Sequence, residues 1–175
     1  MSTMIESPGT EHRELAPFVI SRVFDVPRDL MWKAWTERKR LMEWFGPQGF
    51  TMPAAKMDLR PGGSFHYCLC SPDGKEMWGK WSYREIVEPE RIVLVHSFSD
   101  EAGGVTRHPF APNWPLRTLS TFTLTDEGGG TRVTVEWLPL DPTDEERKTF
   151  DRGREGMKMG WTGTFDQLAA YLARK

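Results

Sequence analysis

One histidine and two cysteines alternate along a short stretch of the chain, and their types suit metal binding. His66, Cys68 and Cys70 are spaced two residues apart, so in a β-strand all three side chains point from one face. Imidazole and thiolate are ligands that zinc favours. Positions i, i+2 and i+4 of an extended strand nevertheless lie too far apart to converge on one ion without ligands from a second strand or helix. We therefore predict no metal site, and no other cofactor is indicated.

His96 is the candidate for acid–base chemistry. It alternates with Leu94 and Phe98, so in a strand it shares their face and can project a polar group, or a general base near neutral pH, into a cavity. A core histidine with satisfied hydrogen bonds is the alternative. The glycine run at residues 128–130 leads into a strand, so it offers no phosphate site. Without a nucleophile elbow either, no residue is assigned a catalytic role.

Aromatic side chains are abundant, with eight tryptophans in 175 residues. The side chains predicted to surround a cavity are Trp44, Phe65, Tyr67, Trp78, Trp81, His96, Trp114, Met157, Trp161 and Phe165. Such a surface suits flat hydrophobic or amphipathic ligands, although each side chain could equally belong to an ordinary core. Trp137, beside Val133 and Val135, is predicted to be core packing. Trp114 lies in a proline-rich stretch and is best suited to cover an entrance.

Alternation and turn residues place these side chains on an antiparallel sheet. The predicted strands cover residues 18–25, 50–59, 63–70, 76–88, 91–98, 116–125 and 131–138. Two short helices follow the first strand, the second over residues 38–44. Gly79 lies inside a predicted strand and indicates a bulge or sharp bend, hence a curved sheet. Residues 99–115 are rich in glycine and proline and are predicted to form a long loop.

The chain ends in one long predicted helix. Thr143 and Glu146 have the spacing of a capping box at its start. Four glycines, Gly153, Gly156, Gly160 and Gly163, form a stripe along it. Together they should cost about 2–4 kcal/mol relative to alanine, so a close approach of the backbone should compensate. Two interpretations remain open: a sheet packed tightly against the helix, or a cavity wall kept low to admit a ligand.

Composition excludes several classes of protein. With 27% charged and 38% hydrophobic residues, the chain is typical of a globular domain. We predict one domain over residues 16–175 and a flexible tail over residues 1–15. A net charge of −2 provides no basic field for nucleic acid. No signal-like segment or run of about 18 apolar residues occurs, so we predict a cytoplasmic protein with reduced thiols and no membrane partner.

The order of the elements, together with several short motifs, resembles the START-related (SRPBCC) superfamily. The resemblance covers about residues 16–174, and its closest branch is named for similarity to the C-terminal domain of heat-shock protein 90 ATPase activators. The residues that carry it are Asp58–Phe65, Pro72–Gly74, Tyr83–Ile92, Trp32 with Trp35, Glu43–Pro47, Gly160 with Trp161, and Leu168. It implies an α+β helix-grip fold, in which a curved antiparallel sheet wraps around a long C-terminal helix. In relatives, a cavity between sheet and helix binds hydrophobic or amphipathic small molecules.

Three functions remain open at this point. The first is a small-molecule binding module with an aromatic-lined cavity, acting in sensing or stress response. The second is a cavity enzyme of hydrolase or cyclase type, since a few branches of the superfamily have such activities; here His96 would act with Asp58 or Glu85. The third is a protein-interaction or co-chaperone-like domain using the sheet face around His66 and Cys68. The same face could support a homodimer.

Overall fold

The computed structural model describes residues 15–175. The predicted tail, residues 1–15, lies outside this range apart from Leu15. The strands are β1 Phe18–Phe24, β2 Thr51–Met57, β3 Ser64–Cys70, β4 Glu76–Val87, β5 Arg91–Ser99, β6 Val105–Thr106, β7 Thr118–Glu127 and β8 Gly130–Pro139. The helices are α1 Arg28–Thr36, α2 Arg38–Trp44, α3 Asp144–Arg152 and α4 Arg154–Ala173.

All strands belong to one curved, unclosed antiparallel sheet. Its order is β1-β8-β7-β5-β4-β3-β2, and β6 pairs with β5 outside this path. Helices α1 and α4 pack on the concave face, where Trp35 of α1 lies 4.6 Å from Phe122 of β7 and Phe165 of α4 lies 5.6 Å from Phe24 of β1, between ring centroids. The predicted architecture of a curved sheet wrapped around a long C-terminal helix is confirmed.

The C-terminal helical region differs from the single predicted helix because it breaks at Gly153. Its start is as predicted: Thr143 and Glu146 form a reciprocal capping box. The backbone N–H of Gly153 donates to the carbonyl oxygens of both Thr149 and Phe150. This shared hydrogen bond ends α3, and α4 begins at the next residue. A Cβ at Gly153 would lie 2.9 Å from the Trp114 ring. The break therefore lies where an aromatic side chain needs the space of a glycine.

Two further predictions on the sheet need correction. The predicted loop over residues 99–115 contains the short strand β6, which pairs with Phe98 and Ser99. Gly79 lies in regular pairing between Tyr67 and Phe98, and the register shift occurs later, between Tyr83 and Glu85. A Cβ at Gly79 would lie 2.6 Å from the Tyr67 ring. Glycine is therefore needed at this position for the close approach of a side chain, and the bulge lies elsewhere.

In the described part of the chain, no helix is both long and apolar enough to cross a membrane.

Candidate functional site

A cavity of about 440 Å³ opens between the concave face of the sheet, the first half of α4 and the loop before β7. Its size falls within the range of pockets that hold small organic molecules. It is lined by Phe45, Gly46, Pro47, Tyr67, Leu69, Met77, Trp78, Gly79, Trp81, His96, Phe98, His108, Ala111, Trp114, Ser120, Phe122, Trp137, Gly153, Gly156, Met157, Gly160, Trp161 and Thr164. The lining is largely aromatic, with a few polar groups.

The structure brings seven of the ten predicted site residues to this cavity. They are Tyr67, Trp78, Trp81, His96, Trp114, Met157 and Trp161. The other three, Trp44, Phe65 and Phe165, are at most 2% exposed and belong to the packed core next to the cavity. Trp44 even donates its indole N–H to the carbonyl oxygen of Ala34, 3.0 Å away. These three side chains serve packing.

Trp78 borders the cavity, but its ring lies on the opposite, convex face of the sheet. It is paired with Cys68 in the β3–β4 ladder, and its ring stacks on His66 at 4.9 Å between centroids and 27° between planes. Trp81 is three residues further along the strand, so its side chain points to the concave face instead. The sequence prediction placed both rings in one site and overlooked this parity.

The glycine stripe of α4 forms one wall of the cavity. Gly153, Gly156 and Gly160 line it. A Cβ added at Gly156 or Gly160 would meet no atom within 4 Å. The sheet therefore does not pack against these two glycines, and of the two interpretations left open by the sequence the structure favours a low cavity wall. Gly163 lies outside the cavity, and its Cβ would make ordinary contact with Gln48 at 3.5 Å.

Trp114 covers the junction between α3 and α4. Its ring lies 5.9 Å from the Phe150 ring, between centroids, and against Gly153. The loop that carries it is held by Glu146, which accepts a hydrogen bond from the backbone N–H of Leu116 at 2.8 Å and lies 3.5 Å from Arg107. Burial raises the pKa of Glu146, but the hydrogen bonds from Leu116 and Thr143 outweigh burial and lower this pKa overall. Glu146 is therefore charged at neutral pH and joins the loop to α3.

His96 lies on the cavity wall, as its alternation with Leu94 and Phe98 predicts. Its ring stacks on Trp137 at 5.6 Å between centroids and 18° between planes. Burial lowers the pKa of His96 from 6.5 to about 4, so the imidazole is neutral at pH 7. A neutral imidazole can donate from one nitrogen and accept at the other. As a proton acceptor it is weak, because its conjugate acid loses its proton well below neutral pH.

Charged side chains are missing from the described lining. None of the lining residues is an aspartate, glutamate, lysine or arginine. Asp58 and Glu85, named in the enzyme hypothesis, form exposed ion pairs with Arg60 at 2.8 Å and Arg91 at 2.6 Å instead. Ser120 lines the cavity, but its hydroxyl has no hydrogen-bond partner. His96 therefore does not activate this hydroxyl as a nucleophile.

The alternating histidine and cysteines lie outside this cavity. Nε2 of His66 is 3.1 Å from the carbonyl oxygen of Asp100. Burial is the main factor that raises the pKa of Cys68 to about 11, so its thiol is protonated at neutral pH. Over residues 15–175, no group of three histidine, cysteine or acidic side chains is arranged to hold a metal ion.

Several lining residues were not predicted from the sequence. Trp137 was assigned to packing, yet it both packs in the core and lines the cavity, with its ring 5.6 Å from Trp161. Phe122 alternates with polar residues and could have been found by its strand parity. Phe45 and His108 lie in loops, and their positions depend on tertiary contacts, such as the 5.0 Å distance between the Phe45 and Trp81 rings.

A comparison with known protein families identifies the family of this chain. The family model described as activator of Hsp90 ATPase homolog 1-like protein matches residues 25–173. The chain belongs to this family. The match covers all four helices of the described chain and all strands but β1, and the START-related superfamily recognised from the sequence is confirmed.

Solved structures of similar proteins share the fold over nearly the whole chain. Protein Ms6760 from Mycobacterium smegmatis is 24% identical, with a TM-score of 0.74 over 90% of this chain and 91% of that one. A protein from Arthrobacter aurescens is 25% identical, with a TM-score of 0.74 over 93% and 88%. The AHSA1 protein from Silicibacter pomeroyi is 19% identical, with a TM-score of 0.68 over 90% and 98%. No curated protein matches the chain.

Proposed function

We propose that this chain is a binding module for a flat hydrophobic or amphipathic small molecule, which the cavity between the sheet and α4 encloses. The membership of the family and the aromatic lining support this function. The observation that carries the proposal is the open glycine wall at Gly156 and Gly160, where a side chain would meet no atom within 4 Å. Each glycine costs about 0.5–1 kcal/mol of helix stability relative to alanine.

No structural contact compensates for these two glycines, because nothing approaches them closely. Alanine would fit at both positions and would favour the helix. A sequence that retains glycine there gives up stability and keeps the cavity open along this side of α4, where both glycines are exposed. Functional sites commonly show this exchange between stability and activity. The free volume next to Trp161 and Met157 is therefore what we assign to the ligand.

The chemistry of the lining favours binding over turnover. The cavity has two histidines, an unpartnered serine hydroxyl and no aspartate, glutamate, lysine or arginine among the described residues. Burial lowers the pKa of His108 below its ordinary 6.5, and its Nδ1 already accepts a hydrogen bond from the backbone N–H of Phe110 at 3.0 Å. General acid–base catalysis needs a group whose pKa lies near the working pH, and the pKa of about 4 for His96 does not meet this need. We therefore expect ligand-dependent stabilisation without conversion of the ligand.

The test is thermal unfolding in the presence of uncharged aromatic compounds of two to four rings. A compound present at about 100 times its Kd should stabilise the fold by about 2.7 kcal/mol, which raises Tm by about 5–10 °C in a domain of this size. The informative variant is Gly160→Leu, which fills the cavity from the helix. Its own Tm should equal or exceed that of the wild type, and the compounds should no longer raise it.

A leucine at an exposed position of the same helix that does not line the cavity provides the matched control. Thr162 is exposed and lies outside the cavity lining, so Thr162→Leu should retain the full ligand response. We avoid truncation of Trp161, because its ring contacts five other aromatic rings and its loss would cost about 3–5 kcal/mol. The proposal fails if no compound stabilises the wild type, or if the compounds stabilise Gly160→Leu equally.

A further inference from the structure

Two polar atoms in the sheet wall of the cavity are buried without hydrogen-bond partners. They are the hydroxyl oxygen of Ser120 and the indole Nε1 of Trp137. Both residues line the cavity, and they lie directly opposite each other in the β7–β8 ladder. A buried polar group without a partner is destabilising, and native proteins rarely leave one so. Two such atoms, on residues that pair in the ladder and both line the cavity, point to a ligand as the missing partner.

His96 adds a third polar group to the same place. It lies opposite Thr118 in the β5–β7 ladder, two residues from Ser120, and its ring stacks on Trp137. Among residues 15–175, the histidine rings that make hydrogen bonds are those of His66 and His108, not His96. Three adjacent strands thus present three unpartnered polar side chains to a cavity whose remaining lining is mostly aromatic and apolar.

The donors and acceptors of this cluster restrict the ligand. An indole N–H only donates, while a hydroxyl and a neutral imidazole can each donate or accept. A group that satisfies all three must therefore offer lone pairs to the indole. It must also be uncharged, because burying a carboxylate or sulfonate without a cation is strongly unfavourable. No lysine or arginine lines the described cavity.

We infer that the ligand is a flat aromatic molecule with an uncharged hydroxyl or carbonyl oxygen, and that Ser120, Trp137 and His96 bind this oxygen. This inference rests on the proposed function, because it needs a ligand in the cavity. It goes further by assigning the wall of the cavity at which the polar group lies and the chemistry of that group. The glycine wall of α4 then faces the apolar rings of the ligand.

The test compares 2-naphthol with 2-methylnaphthalene, which differ by a hydroxyl in place of a methyl group. Their dissociation constants are measured for the wild type, Ser120→Ala and His96→Phe. In a cavity without polar partners the methyl compound binds better, because burying an unpaired hydroxyl is costly. We expect the ratio of the two constants to shift by about tenfold towards the methyl compound in each variant, equivalent to the loss of one hydrogen bond.

Ser99→Ala is the matched control. The hydroxyl of Ser99 is also buried without a partner, but Ser99 does not line the cavity. Both serine variants remove the same kind of group, so a general effect on stability appears in both. Only Ser120→Ala should change the preference between the two compounds, and Ser99→Ala should keep the wild-type ratio.

The outcomes separate this inference from the proposed function. If both compounds bind the wild type and their ratio is unchanged in Ser120→Ala and His96→Phe, the inference is wrong and the binding module stands. If the ratio shifts equally in Ser99→Ala, the effect is not local and the inference is also wrong. If neither compound binds while larger uncharged rings stabilise the wild type but not Gly160→Leu, the binding module stands and the inference is wrong. If no compound binds, both proposals fail.

Discussion

The two halves of α4 face the same sheet but differ in how closely they pack against it. In the C-terminal half, Phe165 meets Phe24 at 5.6 Å and Leu168 is completely buried. In the N-terminal half, Gly156 and Gly160 have open space where side chains would be. Both halves are regular helix and both bury side chains, Met157 and Trp161 in the N-terminal half, but only the N-terminal half carries glycines that line the cavity. The C-terminal half should contribute to stability alone, and the glycine-bearing half should also determine what can bind.

The largest expected effect comes from breaking the C-terminal half. Leu168→Ala removes a fully buried side chain from the core cluster. Loss of transfer energy and the new void should lower the free energy of unfolding by about 2–5 kcal/mol. Chemical denaturation followed by far-UV circular dichroism measures this change. The Kd for a cavity ligand should remain that of the wild type, because Leu168 does not line the cavity.

Leu59→Ala is the control for this change, since Leu59 is 37% exposed. It should alter the free energy of unfolding by no more than about 0.5 kcal/mol. A Leu168→Ala protein that keeps full stability, or that loses ligand affinity while folded, would show that the two halves of α4 do not have separate roles in stability and binding.

The next effect concerns pH and the glycine-bearing half. The pKa of His96 is about 4 in the folded protein and 6.5 ordinarily, so the unfolded chain binds more protons between these values. The stabilisation from neutral His96 is therefore complete above about pH 7 and is lost as pH falls from 6.5 to 4. The loss should reach up to about 3 kcal/mol, from the size of the shift. Urea unfolding at a series of pH values measures it.

His96→Phe isolates this contribution, because the other titrating groups, including His108 and Glu146, are the same in both proteins. The variant should lose less stability than the wild type between pH 6.5 and 4. Parallel profiles for the two proteins would mean that His96 titrates normally and that its surroundings are wetter than its position indicates.

The smallest effect compares two glycines of the same helix. Gly160→Ala and Gly163→Ala should each raise the free energy of unfolding by up to about 1 kcal/mol, because alanine favours the helix and neither added Cβ clashes. Only Gly160→Ala reduces the cavity, so it alone should weaken binding of a ligand that fills the space. Paired denaturation and binding curves measure both quantities.

A loss of stability in Gly160→Ala would contradict the open space at this position. Equal weakening of ligand binding by the two substitutions would mean that the ligand is affected through the helix as a whole. Unchanged binding in Gly160→Ala, with loss only in Gly160→Leu, would show that the ligand leaves room next to the helix.

The sequence predicted most of the sheet, for reasons that are local. Turn residues such as those at Pro72–Gly74 and the period-two pattern around Tyr67 depend on neighbours in the chain. The capping box of Thr143 and Glu146 is likewise a contact between residues three apart. The break at Gly153 was missed because the Trp114 ring that packs against this glycine comes from a loop almost forty residues earlier in the sequence.

The site was predicted less completely than the fold. Aromatic type alone could not separate Trp44 and Phe165, which pack in the core, from Trp81 and Trp161, which also border the cavity. Trp78 borders the cavity as predicted, but its strand parity turns its ring to the other face of the sheet. Trp137 was assigned to packing alone because its valine neighbours resemble an ordinary core strand.

By itself, the sequence determined the strands, their turns, the amphipathic C-terminal helix and the family to which the chain belongs, since these follow from local spacing and short motifs. Only the tertiary structure decided that Gly156 and Gly160 face empty space. It also decided that Ser120, Trp137 and His96 meet without partners. The physical reason is that a cavity is formed by surfaces from segments far apart in the sequence. The local pattern of one segment does not determine its distance from the others.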